Sequence, residues 1–267
     1  MTALPTSPRR RVTVAALVVT VVALAVGLAV VAQGGDEPGS GVAQDRPGTV
    51  LLVPGYGGGT TSLKRLAATL RAGGREAVVV QAPGNGTGDL REQARGLDVA
   101  ARAAVAGGAP SVDVVGYSAG GVVARIWVSE MGGDTLARRV VTLGSPHHGS
   151  ESAQVAAALA PSACPMACRQ LVPDGELLGA LDESPPGPLW TSVWTTQDEV
   201  VTPPDSAVLE GAVNIELQAV CADALVSHGQ LPTDPLVAAV VERAIAVEPL
   251  REAPSSEDCT DLRGGVG

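Results

Sequence analysis

The stretch Gly116-Tyr117-Ser118-Ala119-Gly120 sets a serine between two glycines, after the apolar run 111–117 and before a run with helical spacing. A strand entering a tight turn that opens a helix would lift Ser118 above a sheet, and the glycines would relieve the crowding. The helix start beneath it favours developing negative charge. A serine hydroxyl becomes a useful nucleophile only when a base takes its proton. The chain has three histidines, His147, His148 and His228. The chain order serine, acid, histidine selects His228, in Ser-His-Gly-Gln-Leu-Pro, and leaves His147 and His148 as loop architecture beside the site. The acid expected between them is Asp198, directly beyond the apolar run 189–195, with Asp205 in reserve and Glu199 pointing elsewhere. Asp198 would hold the imidazole in one tautomer and stabilise its cationic form. The backbone N–H groups of Ala119 and of Tyr56, in Val-Pro-Gly-Tyr-Gly-Gly, are the candidate oxyanion donors. Acyl transfer through a serine is the chemistry this set allows.

Such residues need elements that end together. Apolar runs at 49–53, 77–82, 111–117, 139–144, 189–195 and 212–220 read as strands. Between the first three lie helical spacings, with Leu63, Leu66, Ala67 and Leu70 in one and Leu90, Ala94, Leu97, Ala101 and Val105 in the next. Helices are expected also over 119–131 and 235–246. Strands alternating with helices imply right-handed crossovers and an α/β domain with a mostly parallel sheet covered on both faces. Every candidate site residue then falls in a loop at the C-terminal ends of the strands. Residues 151–188 break the pattern and are expected to be an irregular excursion over one end of the sheet. No internal repeat is present.

Composition narrows the setting. Hydrophobic residues make up 45% of the 267-residue chain, yet it has no Phe, so the core must be built from Ala, Val and Leu. A net charge of −10 gives nucleic-acid binding no electrostatic basis. Residues 1–11 end in Arg9, Arg10 and Arg11 and are expected to stay cytoplasmic, ahead of an uncharged run over 12–32. That run reads as a transmembrane anchor or as a signal peptide, and either role exports the remainder of the chain. Residues 33–47 are a Gly- and Pro-rich linker, 48–247 the α/β catalytic domain and 248–267 a polar tail. Four cysteines, Cys164, Cys168, Cys221 and Cys259, suit an exported chain with two disulfides. Three connectivities are possible. Cys164 and Cys168 could close a small loop, and Cys221 with Cys259 would then pin the tail. A zinc site is disfavoured because paired Cys-x-x-Cys knuckles are missing.

With Leu-Leu-Val-Pro-Gly-Tyr-Gly-Gly-Gly, the Ser118 turn, Val-Thr-Leu-Gly-Ser-Pro-His-His-Gly-Ser, the Asp198 segment and the His228 segment in this order, the chain resembles an exported bacterial lipase/esterase of the α/β-hydrolase superfamily, similar to the small class 2 lipases. The shared features span about residues 48–240. The resemblance implies the α/β-hydrolase fold with a small cap or none, a Ser118–Asp198–His228 triad, and ester hydrolysis through an acyl-enzyme. One departure is Pro54-Gly55 where many lipases carry His-Gly. No metal or organic cofactor is called for. The expected partners are a lipid or small ester substrate and, if the apolar run is uncleaved, the membrane, with the protein otherwise monomeric. An acyltransferase on envelope lipids and an inactive surface-binding protein on the same scaffold are the competing readings.

Overall fold

Alternating burial along β1 (Thr49–Val53) explains the layering of the molecule. Val50 and Leu52 face one apolar core, while Leu51 and Val53 face another on the opposite side. A strand's side chains alternate between faces, so a wholly apolar strand implies cover on both. The structure, a computed structural model, describes residues 42–264. It contains five further strands, β2 (Ala77–Val79), β3 (Val112–Tyr117), β4 (Ala137–Leu143), β5 (Leu189–Trp194) and β6 (Val213–Glu216). All pair in parallel in the order β2-β1-β3-β4-β5-β6.

Helices cover both faces. On one lie α1 (Thr61–Ala72), with Leu63, Leu66 and Leu70, and the late helix α8 (Pro235–Ala244), with Val237 and Val241. On the other lie α2 (Leu90–Ala106), with Leu90 and Leu97, and α3 (Ala119–Glu130), with Val122 and Ile126. Asp89 caps α2 by accepting from Arg91 N–H at 2.9 Å, and Asp234 caps α8 by accepting from Leu236 N–H at 2.9 Å. In a core without Phe, Trp127 is the largest fully buried side chain, its indole N–H donating to Asp98 Oδ1 at 3.0 Å.

Three parts of the chain differ in extent or character from the sequence expectation. β2 ends at Val79 rather than at residue 82, because its neighbour β1 gives way to Pro54, which has no N–H for the ladder. β6 ends at Glu216, opposite Trp194, the last residue of β5, and the chain turns into α7 (Leu217–Val220). The excursion 151–188 is not irregular throughout. It contains α4 (Glu151–Leu159), α5 (Met166–Gln170) and α6 (Glu176–Gly179). The alanines of α4 favour helix without any burial, and none of its residues is buried. Gln170 at the end of α5 clamps this segment to α2, accepting from Leu90 N–H and donating to Asp89 Oδ1, each at 2.9 Å.

All four cysteines lie in disulfides, Cys164–Cys168 within the excursion and Cys221–Cys259 across 38 residues. The second joins the end of α7 to α9 (Cys259–Gly264), where Arg263 also pairs with Asp223 at 2.9 Å. The apolar run 12–32 lies outside the described residues. Among the described residues no helix is long and apolar enough to cross a membrane.

Candidate functional site

The strand order makes a crevice. From β1 the chain moves outward to β2, then crosses back to β3 on the other side of β1. Loops leaving neighbouring strands in opposite directions open a cleft at their C-terminal ends. Ser118 sits at that point, between β3 and α3, with φ 54° and ψ −127°. For a residue with a Cβ this backbone costs on the order of 1–3 kcal/mol. The turn holds because Ser118 N–H donates to Leu143 O at 2.8 Å and its carbonyl accepts from Gly121 N–H at 3.0 Å. It also needs bare backbone on every side. A Cβ on Gly116 would stand 2.6 Å from Gly121 Cα, one on Gly120 would meet the Val53 and Pro54 carbonyls, and one on Gly121 would strike Ser145. Gly121 therefore lets α3 lie against β4.

His228 lies beyond β6 and Asp198 beyond β5, and the fold brings both to Ser118. His228 Nε2 is 3.1 Å from Ser118 Oγ, and His228 Nδ1 is 2.6 Å from Asp198 Oδ2. An ionised carboxylate only accepts, so Nδ1 carries the proton and Nε2 is left to accept from the serine hydroxyl. Asp198 is fixed from behind, its Oδ1 accepting from Val200 N–H at 2.9 Å and Val201 N–H at 2.8 Å. All three side chains are buried, with Ser118 9%, Asp198 6% and His228 4% exposed, so the row is shielded from competing water.

Other groups hold His228, and local sequence did not mark them. Tyr117 stacks at a tilt on its ring, with centroids 5.2 Å apart, and donates its hydroxyl to the His228 carbonyl at 3.3 Å. Burial, with lesser help from Asp198 and Glu199, pushes the Tyr117 phenol up to about 12, so it stays a donor. Glu199, expected to point elsewhere, accepts from the His228 backbone N–H at 3.3 Å. Asp205 is exposed and takes no part in the row. Gly144, just after β4, has φ +55°, and a Cβ there would come within 3.1 Å of Asp198 Oδ2 and 3.2 Å of His228 Nδ1. In the sequence it stood as a glycine closing an apolar run, inside one of the segments that carry the resemblance, with no role of its own marked.

The amides of Tyr56 and Ala119 donate to no acceptor among the described residues. Both residues adjoin the Ser118 hydroxyl, Ala119 in the chain and Tyr56 across a shared cavity. Two unengaged N–H groups beside a serine can stabilise an oxyanion. The paired histidines do different work. His147 is buried, its Nε2 on Thr142 Oγ1 at 3.1 Å and its carbonyl accepting from Arg125 at 2.9 Å. Burial, then Arg125 and His148, hold its imidazole well below the ordinary value, so it stays neutral. His148 bonds the Ser206 carbonyl at 3.2 Å and Glu183 at 3.0 Å. Arg125, wholly buried among apolar neighbours in α3, spends its donors on the carbonyls of His147, Leu181 and Asp182 and so ties α3 to the site loops. Among the described residues no group of three or more His, Cys, Asp or Glu side chains is placed to hold a metal ion.

No protein-family model matches the chain, and no curated protein matches its sequence. Solved structures do match. Aspergillus fumigatus lipase B aligns over 85% of this chain and 63% of its own, with 18% identity and a TM-score of 0.63. The lin2722 gene product of Listeria innocua aligns over 78% of this chain and 98% of its own, with 14% identity and a TM-score of 0.55. Bacillus licheniformis lipase BlEst2 in its mature form aligns over 62% and 81%, with 18% identity and a TM-score of 0.51. The chain thus spans a little under two thirds of the Aspergillus lipase. With the parallel sheet, its order and its helical cover, these likenesses give the class: the chain has the α/β-hydrolase fold.

Proposed function

We propose that this chain is a serine hydrolase that cleaves carboxylic esters with an apolar acyl part. The observation that carries the reading is the row Asp198–His228–Ser118, closed by contacts of 2.6 and 3.1 Å, beside two unengaged amides. In the reaction, Ser118 Oγ attacks the ester carbonyl while His228 Nε2 takes its proton. The carbonyl oxygen, now negative, lies on the Tyr56 and Ala119 N–H groups. His228 then returns the proton to the departing alkoxide, leaving an ester on Ser118. Water repeats the sequence and frees the acid. Asp198 keeps Nδ1 protonated and offsets the imidazolium charge throughout.

The acyl part is assigned from a cavity of about 230 Å³ beside Ser118, walled by Pro146, Ala153, Ala156, Ala163, Leu171 and Val201. The lipases among its structural neighbours, at 18% identity, support the reading as analogy. Two disulfides fit an oxidising compartment and support an extracytoplasmic place. The test is turnover of p-nitrophenyl esters together with fluorophosphonate labelling. One label per chain on the Ser118 peptide, with activity lost in step, is the expected result; no turnover and no label would overturn the proposal.

Gly144→Ala tests the support behind the row. The added methyl meets both Asp198 and His228 and forces a backbone that L-residues disfavour by about 1–2 kcal/mol. Displacing the imidazole should lower kcat, by up to about 10²-fold if the shift reaches about 1 Å. Ester turnover per labelled serine, set beside a thermal melt, separates this effect from simple unfolding.

A further inference from the structure

Two cavities meet at Ser118, and they differ in chemistry. Both include Tyr56, Ser118 and Val200 in their walls. One is the apolar acyl cavity beside Pro146 and Leu171. The other, about 540 Å³, is walled by Thr61, Ser62, Arg65, His228 and Thr233 among others. His228 borders only this second cavity. That decides which part of an ester lies where. The leaving oxygen must receive its proton from His228 Nε2, so the alcohol part occupies the cavity that His228 borders.

Arg65 gives this cavity its charge. No carboxylate is among the residues that wall it, and the Arg65 guanidinium makes no hydrogen bond or ion pair with any described residue. Several other arginines on this acidic surface are engaged, as Arg91 with Glu130, Arg95 with Glu92 and Arg102 with Asp98, and Arg46, Arg169 and Arg251, likewise unpaired among the described residues, do not wall this cavity. Glu199, the acid next to Asp198, is turned to the His228 N–H and does not wall the cavity. In a chain of net charge −10, an unpaired cation at the alcohol end of the site is a selective feature, since the overall field repels anions.

We infer that Arg65 is a specificity-determining residue, and that the preferred ester joins an apolar acyl chain to an alcohol carrying an anionic group, a phosphate or a carboxylate. This rests on the ester-hydrolase reading of the same site. The planar fork of a guanidinium suits either oxyanion group in bidentate fashion, and the hydroxyls of Thr61, Ser62 and Thr233 stand ready to donate beside it.

The experiment compares kcat/KM within matched pairs that share one acyl group. Monohexanoyl glycerol is set against its phosphorylated counterpart, and phenyl hexanoate against its meta-carboxy derivative. The ratio of anionic to neutral turnover is independent of how much protein is folded. It should exceed one for the unaltered chain, decline with added salt, and fall about fivefold in Arg65→Gln, the reach of an exposed ion pair. The arm that responds names the anion. Lys64→Gln, one position away with the same change of charge and outside the cavity wall, should leave the ratio where it was. Equal ratios in the unaltered chain and Arg65→Gln, or an equal fall in Lys64→Gln, would overturn the inference while leaving the hydrolase reading intact. Failure to cleave any of the four esters would instead remove that reading, and this inference with it.

Discussion

Ser118→Ala is expected to cut turnover of p-nitrophenyl esters by about 10⁵–10⁶-fold with KM little changed, since the proposed mechanism has serine, imidazole and carboxylate act as one unit. His228→Ala should cost as much, and combining the two should cost no more than either alone. The sharper test is Asp198→Asn, expected to lower kcat about 10⁴-fold. Asp198 Oδ1 accepts from two backbone amides, Val200 and Val201, while Oδ2 faces His228 Nδ1. An asparagine in the same place would keep its carbonyl oxygen on those two amides. Its NH₂ would then face Nδ1, which must accept. The ring would carry its proton on Nε2 and could no longer take one from Ser118. A loss in kcat alone, with the melting temperature of the fold retained, fits this tautomer argument. Retained kcat would show that Asp198 does not orient His228, whatever the distance between them.

What could be read beforehand depended on locality. The strand, turn and helix around Ser118 are contiguous, so alternation, glycine spacing and helical periodicity all appear within residues 111–131. The parallel sheet is legible from the same patterns repeated along the chain. Asp198 and His228 could be named because each stands just past an apolar run, although only folding brings them within 2.6 Å of one another. The supports of the site were not legible for the opposite reason. Gly144 matters because His228, 84 residues later by number, packs on its Cα side, and nothing near Gly144 records that neighbour. Tyr117 occupies the variable position of the glycine–serine motif, where its residue type carries no expectation, and it acts on a carbonyl 111 residues away. Arg125 looks misplaced in a buried helix until the three carbonyls that receive it are known. α4 escaped notice because helix periodicity is a burial signal, and no residue of this helix is fully buried.

Asp113→Leu is expected to destabilise the fold by about 3–5 kcal/mol, the cost of breaking a buried ion pair from one side. Asp113 lies near the start of the central strand β3, at the end of the sheet opposite Ser118, and is fully buried. Arg138, also fully buried, meets its two oxygens at 3.0 and 2.7 Å, and Arg75 reaches Oδ2 at 2.6 Å. Both arginines continue outward, Arg138 to the Ala246 carbonyl at 2.8 Å and that of Gln44 at 3.1 Å, Arg75 to those of Ile245 and Gly48 at 2.8 and 3.0 Å. One carboxylate thus joins the entry to β1, the centre of the sheet and the end of α8. With Asp113 gone, Arg75 keeps some access to water, but Arg138 is left charged with none. Asp113→Leu combined with Arg138→Met removes that stranded charge and should recover most of the loss, because apolar packing can replace a buried pair at little net cost. Against a typical total of about 5–15 kcal/mol, the single substitution should lower Tm by about 10 °C. Ester turnover per folded molecule should persist in both variants, since about 16 Å of strand separates Asp113 from Ser118. An unchanged Tm in Asp113→Leu would mean that the carbonyl cage alone sustains Arg138, and no recovery in the double variant would mean that the stranded charge is not the source of the loss.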